Sequence, residues 1–340
     1  MSLLSSARGE TYDFRNIHPN LRMGTASDRY AGWLGQVYTP ERYAGRITSR
    51  SRKLGKKSFV EEILPVDSVS EYFEHFNVLE LDFTFYRPVR DPAGKPTHTE
   101  NLLREYRKHL KDGGRLILKA PQNIFAQKLR GRGGAFSENP RYLDSEAFMR
   151  GFWEPATAVL GDLLHGVVFE QEYQRARDRI SPEVLAEQLD RFFESIPSDS
   201  RYHVELRTDA YLTSAVFDAL QRHGVGQVLS HWTWLPSLRS QFGKAGGKLM
   251  NRGQELVVRL MTPRNMRYED AYAMAHPFDR LVEEMAHPAM TAETVWLIEE
   301  AIARGFHINV IINNRAGGNA PMMARMIEEA LRESRHTHSK

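Results

Sequence analysis

A chain of 340 residues can bury a large core, and 41% hydrophobic with 26% charged residues describes an ordinary folded globule rather than a disordered or fibrous one. The absence of cysteine excludes a disulfide framework, a thiolate metal site and a cysteine nucleophile. A balance of 46 basic against 43 acidic residues leaves a net charge of +3, too small to call for a nucleic-acid partner by composition.

No apolar run reaches the roughly 18 to 20 residues of a membrane span, and "MSLLSSARGETYDF" lacks the apolar core of a signal peptide. Residues 1–20 therefore read as a polar leader, and the expected location is cytoplasmic. "LRMGTAS", 21–27, reads as a strand ending in Thr25 and Ser27. After it, residues 41–59 carry Arg42, Arg46, Arg50, Arg52, Lys53, Lys56 and Lys57 against one acid, Glu41. That basic run reads either as a solvated loop or as a patch for phosphates, nucleic acid or an acidic protein.

A helix near 67–76 precedes "NVLELDFTFYRP", whose first half is a strand and whose Pro88 ends any regular continuation. A helix near 97–110 leads through "KDGG" to the strand of "RLILKAP", 115–121. Residues 122–160 read as an excursion above the strands. It contains "KLRGRGGAF", with Lys128, Arg130 and Arg132 in a flexible stretch that either covers a site or is solvated. The strand "GVVFE", 166–170, is followed by a helix near 182–194 with Ser181 as cap and Pro182 in its first turn. Then come "HVELR", a helix at 212–223, "GQVLSHW", a short helix and "ELVVRL", with a further excursion near 262–290. "INVIINNRAGGNAP", 308–321, supplies the last strand, a glycine turn and a helix over 320–332, and residues 333–340 read as a disordered tail.

Eight short apolar strands result, each followed by helical material and none joined to the next by a tight hairpin. Such spacing calls for parallel strands with crossover helices. The expected fold is α/β, a single (β/α)8 TIM-barrel-like domain over 21–332 with enlarged loops at its C-terminal mouth.

Barrel strands expose their C-terminal ends where ligands bind. Here those ends carry Glu80 and Asp82, Lys119, Glu170, Glu205 and Arg207, His231, Arg259, and Asn313 with Asn314. A ring of ionised groups is a costly core filling unless paired, so these residues read as a site. Strand period places Glu80 with Asp82, and Glu205 with Arg207, on common faces. Asn314 can instead bond to local backbone, and Asn319 with Pro321 starts a helix whose free amides either hold an anion or are capped.

The segments "RMGTASDRYAGWLGQVY", "VLELDFTFYRP", "LILKAP", "HVELR", "LVVRL" and "INVIINNRAGGNAP" together resemble the DUF72 (YecE-like) family, in order over roughly residues 22–331. "ELDFTFY" looks like the family's Glu-x-x-x-Thr-Phe-Tyr signature, and "NNRAGGNAP" looks like its terminal Asn-Asn element. The resemblance implies a TIM-barrel-like fold of unsettled activity, with polar mouth residues at Glu80, Thr84, Tyr86, Lys119, Glu205, Arg207, Arg259, Asn313 and Asn314. The chain also departs from the pattern. "KAPQNIFAQK" lacks a Thr-His pair, Glu170 or Gln171 stands where a glutamine is usual, and "RLMTP" replaces an Arg-x-His-Gly ending. Histidine-based chemistry is therefore not carried over, and the basic run reads as an insertion in a divergent member.

Three chemistries suit these residues. A carboxylate-bound Mg²⁺ ion would use Glu80, Glu170 and Glu205. Glycoside hydrolysis would place Glu80 or Glu170 opposite Glu205 across a sugar. Alternatively, Lys119, Arg207 and Arg259 hold an anionic ligand while Glu80 or Glu205 moves a proton and Tyr86 orients it. Lysine as a Schiff-base nucleophile wants few acids nearby, which disfavours Lys119 in that role. Neither "GKAGGKL" nor "KLRGRGGAF" has nucleotide-loop spacing.

The expectation is thus an enzyme, of hydrolase type or otherwise, with Glu80, Glu205, Lys119 and Tyr86 at the chemistry. Thr84, Glu170, Arg207, His231, Arg259, Asn313 and Asn314 would hold a small anionic or sugar-like molecule, with no resident cofactor. The alternative is a module that binds nucleic acid or protein through residues 41–59 and 128–132.

Overall fold

The computed structural model describes residues 12–55, 57–110, 113–131 and 136–338, so the expected cations Lys56 and Arg132 and the first part of the leader lie outside the described residues. In chain order the strands are β1 (Leu21–Ala26), β2 (Thr48–Leu54), β3 (Lys57–Ile63), β4 (Val78–Leu81), β5 (Leu116–Lys119) and β6 (Lys128–Arg130). They continue as β7 (Phe136–Glu138), β8 (Leu164–Gln171), β9 (Tyr202–Leu206), β10 (Gly226–His231), β11 (Glu255–Leu260) and β12 (His307–Ile312). Eight of them close a parallel barrel in the order β1-β12-β11-β10-β9-β8-β5-β4, the expected (β/α)8 architecture.

Inside the barrel, alternate residues form three layers. A belt of Ala26, Val78, Ile117, Val168, Val228, Val257 and Ile311 fills the middle. Below it, Arg22 pairs with Glu255 at 2.7 Å, and Asn309 donates its amide to the same carboxylate at 2.8 Å. Above the belt lies the acidic and basic layer described below. Side chains on a strand alternate between faces, so the residues two beyond Val78, Ile117, Val168, Val257 and Ile311 enter the mouth. Gly24 lets β1 approach β4, since a Cβ there would stand 2.0 Å from the carbonyl oxygen of Val78.

The outer faces of the strands pack on the helices in one large apolar cluster. The helix Pro182–Glu194 begins as expected, its Ser181 hydroxyl accepting the Val184 N–H at 3.3 Å. In the second half of the 122–160 excursion, Phe148 and Trp153 meet the Tyr202 ring edge-on outside the barrel, so this stretch is a crossover element. The last helix, Ala320–His338, runs through most of the expected tail, where the Ser334 hydroxyl donates to Glu299 at 2.6 Å.

Two hairpins stand where loops were expected. β2 and β3 pair antiparallel with Arg50 opposite Glu61, and β6 pairs with β7. The basic half of the first hairpin gains its strand character from the alternating "KSFVEEI" that follows it, whose acids neutralise its arginines.

Candidate functional site

Arg259, at the end of β11, occupies the centre of the mouth and is 1% exposed. One guanidinium nitrogen donates to Glu80 of β4 at 2.6 Å, and the other is paired with Glu205 of β9. Arg207, just beyond β9, bridges Glu170 at 2.8 Å and Glu205 at 3.2 Å. Lys119 of β5 is paired with Glu170 and lies 3.8 Å from the centre of the Phe85 ring. Five strands thus bring Glu80, Lys119, Glu170, Glu205, Arg207 and Arg259 into one connected network, as the strand ends imply.

Its members are shifted in different directions. Burial alone would raise the Glu205 carboxyl, but Arg207 and Arg259 outweigh burial and hold it down at about 2. At Glu80 burial wins over Arg259 and Lys119, and its carboxyl is pushed up. Burial likewise lowers Lys119, aided by the two arginines and opposed by Glu170 and Glu80. Two carboxyls on one guanidinium are therefore driven apart, a separation that suits one to carry a proton and the other to stay ionised.

Above the network lies a hollow of about 170 Å³. Glu80, Lys119, Glu170, Arg207, Arg259, Asn313 and Asn314 line it, with Tyr86 at its rim. Among the residues that line it, Glu80 Oε2, Arg207 Nε, Arg259 Nε and Asn314 Nδ2 are buried polar atoms without a hydrogen-bond partner. Such atoms are rare in protein interiors and mark places where a ligand or water completes the bonding. Asn313 accepts the Arg315 N–H at 3.0 Å, and Asn314 Oδ1 accepts from Trp33 at 3.1 Å and from the Ala320 N–H at 2.8 Å.

Three of the expected site residues are placed away from the hollow. Glu205 does not line the hollow; Ser230, Arg207 and Arg259 take its oxygens, so it anchors the floor from beneath. Thr84 donates its hydroxyl to the Lys119 carbonyl at 2.7 Å and accepts the Lys119 N–H, pinning the turn after β4 to β5 instead of meeting a ligand. His231 faces the helices, its Nδ1 bonded to the Thr262 carbonyl at 2.8 Å, because it has the parity of Leu229 and not of Val228 in the interior belt. Ser230 and Trp232 point inward in its place, and Trp232 carries the Arg207 guanidinium over its ring at 4.4 Å.

The start of the last helix is closed to an anion. Its Ala320 and Met322 amides donate to Asn314 and Asn319, and the Asn319 amide donates to the Phe278 carbonyl at 2.8 Å. Gly318, with φ of +100°, passes so close to the Arg280 carbonyl that a side chain there has no room. Among the described residues no group of three or more His, Asp or Glu is placed to hold a metal ion. Lys119 and Arg207 take the two oxygens of Glu170, Ser230 and Arg259 those of Glu205, and Arg259 one of the two on Glu80. Arg259 stands between Glu80 and Glu205 and is bonded to both.

The loops supply walls that sequence reasoning missed. Tyr268 and Tyr272 come from the helix Tyr268–Ala275 in the 262–290 excursion, and Arg315 from the turn after β12. Arg52 and Glu61 reach in from the first hairpin, where Arg52 donates to the Tyr268 hydroxyl at 3.0 Å. The four arginines of the basic run have acidic neighbours: Arg46 pairs with Asp67, Arg50 and Arg52 with Glu61, and Arg42 stands 3.7 Å from Glu71. Only parity at Trp232 was a signal for any of these; the loop residues have none in local sequence.

Residues 22–340 match the family model described as "Protein of unknown function DUF72". A DUF72 family protein from Enterococcus faecalis superposes with a TM-score of 0.56 over 92% of this chain and 95% of its own, at 14% identity. One from Thermotoga maritima gives 0.52 over 92% and 99%, at 16% identity. At such identities the likeness concerns the fold alone. No curated protein matches the chain. Among the described residues no helix is long and apolar enough to cross a membrane.

Proposed function

Because the chain belongs to the DUF72 family of proteins of unknown function, we propose, from its mouth rather than from its kin, that it is an enzyme that moves a proton on a small anionic or sugar-like molecule. The observation that carries this reading is Glu80. Its carboxyl is fully buried, raised by that burial, and has one oxygen unpartnered beside the hollow.

Glu80 serves as the acid or base, since a carboxyl shifted upward is closer to the pH at which it must give and take a proton. Arg259 holds Glu80 in place, and the ionised Glu205 keeps Arg259 oriented. Lys119 and Arg207, held by Glu170 at the hollow's edge, attract the negative charge of the substrate or of the anion formed on it. Tyr86, at the rim and 64% exposed, meets the ligand as it enters. The hollow is smaller than ordinary ligand pockets of roughly 300–1,000 Å³, which limits the reacting part to a few heavy atoms.

Proton transfer is visible without knowing the product. The protein is incubated in D₂O with a panel of small hydroxy and keto acids, aldoses, ketoses and their phosphates, and loss of C–H signal is followed by NMR. Wild type exchanges or converts at least one compound, and Glu80→Gln lowers that rate by about 10²- to 10⁴-fold. An unchanged rate in Glu80→Gln, with the fold intact by circular dichroism, removes the proposal.

A further inference from the structure

A second cavity of about 540 Å³ lies beside the mouth hollow, between the β2–β3 hairpin and the turn that follows β4. The two are separated by a single layer of side chains, because Tyr30, Arg52, Glu61, Asp82 and Phe278 line both. Its volume falls in the range of ordinary ligand pockets, unlike that of the hollow.

At its base is Asp28, 1% exposed. The Tyr106 hydroxyl donates to its Oδ1 at 2.8 Å, while Oδ2 has no partner. Burial raises this carboxyl to about 6, against the opposing effects of Tyr106 and Arg29. Nothing in the barrel's packing calls for a carboxyl there, and an unsatisfied buried acceptor is costly. Asp82, whose carboxylate accepts from the Ser27 hydroxyl at 3.0 Å, also lines the cavity.

We infer that this cavity is a second binding chamber that takes a neutral, polyhydroxylated, sugar-like group of the substrate whose reacting end lies at Glu80. The inference rests on the enzyme reading given above for its second half only. Charge selects the class. Arg29, Arg50 and Arg52 line the chamber and repel an ammonium group, while Asp28, Asp82 and the glutamates of β3 repel an anion. Hydroxyl groups satisfy both kinds of wall, donating to Asp28 Oδ2 and accepting from the arginines. Phe83 and Phe278 add apolar surface for the carbon face of such a group.

Equilibrium binding tests this without turnover. Glucose, ribose and maltose are titrated by saturation-transfer NMR and calorimetry, with putrescine and inorganic phosphate as charged comparators, against wild type, Glu80→Gln, Asp28→Asn and Val60→Trp. At least one neutral sugar binds wild type and Glu80→Gln equally. Asp28→Asn, which removes the free acceptor, weakens it by about tenfold. Val60→Trp, at a 60% exposed position of the chamber wall, abolishes binding by filling the space without disturbing the barrel. Loss of exchange activity in the first experiment with intact sugar binding here condemns the Glu80 reading alone. Failure of every neutral sugar to bind, tighter binding of putrescine or phosphate, or affinities indifferent to both Asp28→Asn and Val60→Trp overturns the chamber.

Discussion

With Glu80 and Glu205 on opposite arms of one guanidinium, removing Arg259 strands the fully buried Glu80 carboxyl and leaves Glu205 with Arg207 as its remaining cation. Breaking a buried ion pair from one side is strongly destabilising, because the remaining charge loses its partner without regaining water. Arg259→Met is therefore expected to cost about 3–5 kcal/mol in urea unfolding. Adding Glu205→Gln to that variant recovers part of the loss, since a neutral amide needs no counter-charge. A double variant as unstable as the sum of its parts would show that the network is not coupled. The same residue sets the chemistry: by holding Glu205 ionised and leaving one Glu80 oxygen free, Arg259 gives two like side chains different work.

The β2–β3 hairpin is fastened to the helix Tyr268–Ala275 and to nothing in the barrel's hydrogen-bonded sheet. Phe59 meets the Tyr272 ring edge-on at 4.9 Å, Arg52 lies over that ring at 5.0 Å, and the Tyr272 hydroxyl donates to Glu61 at 2.5 Å. Together these elements make a small apolar cluster separate from the main core. Tyr272→Ala removes the ring and the hydroxyl on which the cluster depends. Amide exchange is then expected to speed up over residues 48–63 and 268–275 by about tenfold or more while barrel strands keep their protection. Equal acceleration in β9 or β11 would mean that the hairpin and the barrel open as one unit. Because Arg52 and Glu61 wall both cavities, this element shapes what each admits.

For the molecule as a whole, the two polar layers of the barrel set its response to pH. Glu205 at the mouth is held at about 2. Glu255 at the base is also held at about 2, where burial is outweighed by His165, Arg22 and Asn309. Both lie below the ordinary 4.5, so the stability they add is present above 4.5 and is lost as pH falls toward 2. For Glu255 the shift corresponds to something on the order of 3 kcal/mol. Asp28 runs the other way: raised from 3.8 to about 6, it adds stability below 3.8 that is lost as pH rises through 6. The unfolding midpoint should accordingly climb as pH drops from about 6 toward 4.5 and then fall steeply toward 2. Asp28→Asn flattens the first limb and Glu255→Gln the second, in thermal melts at matched ionic strength. Identical profiles for all three proteins would sink this account.

Much of this architecture is written locally. Runs such as "LILK" and "ELVVRL" bounded by proline, glycine and helix caps name the strands, and their spacing names a closed parallel barrel. Period two then carries Glu80, Lys119, Glu170 and Arg259 to a common mouth, because each follows an interior belt residue by two. At His231 the same parity turns the side chain outward, and Trp232 is the inward residue. The partners of those side chains depend on contacts between residues far apart in the chain, which no local pattern records. Glu205 meeting Arg259, Thr84 bracing Lys119, and Asn319 bonding Phe278 are of this kind. So is the basic run, which looks free in one dimension and in three is matched by Glu61, Asp67 and Glu71. Periodicity and turn chemistry act between near neighbours and so are legible in the chain, whereas charge balance and cavity shape arise only when distant segments close on one another.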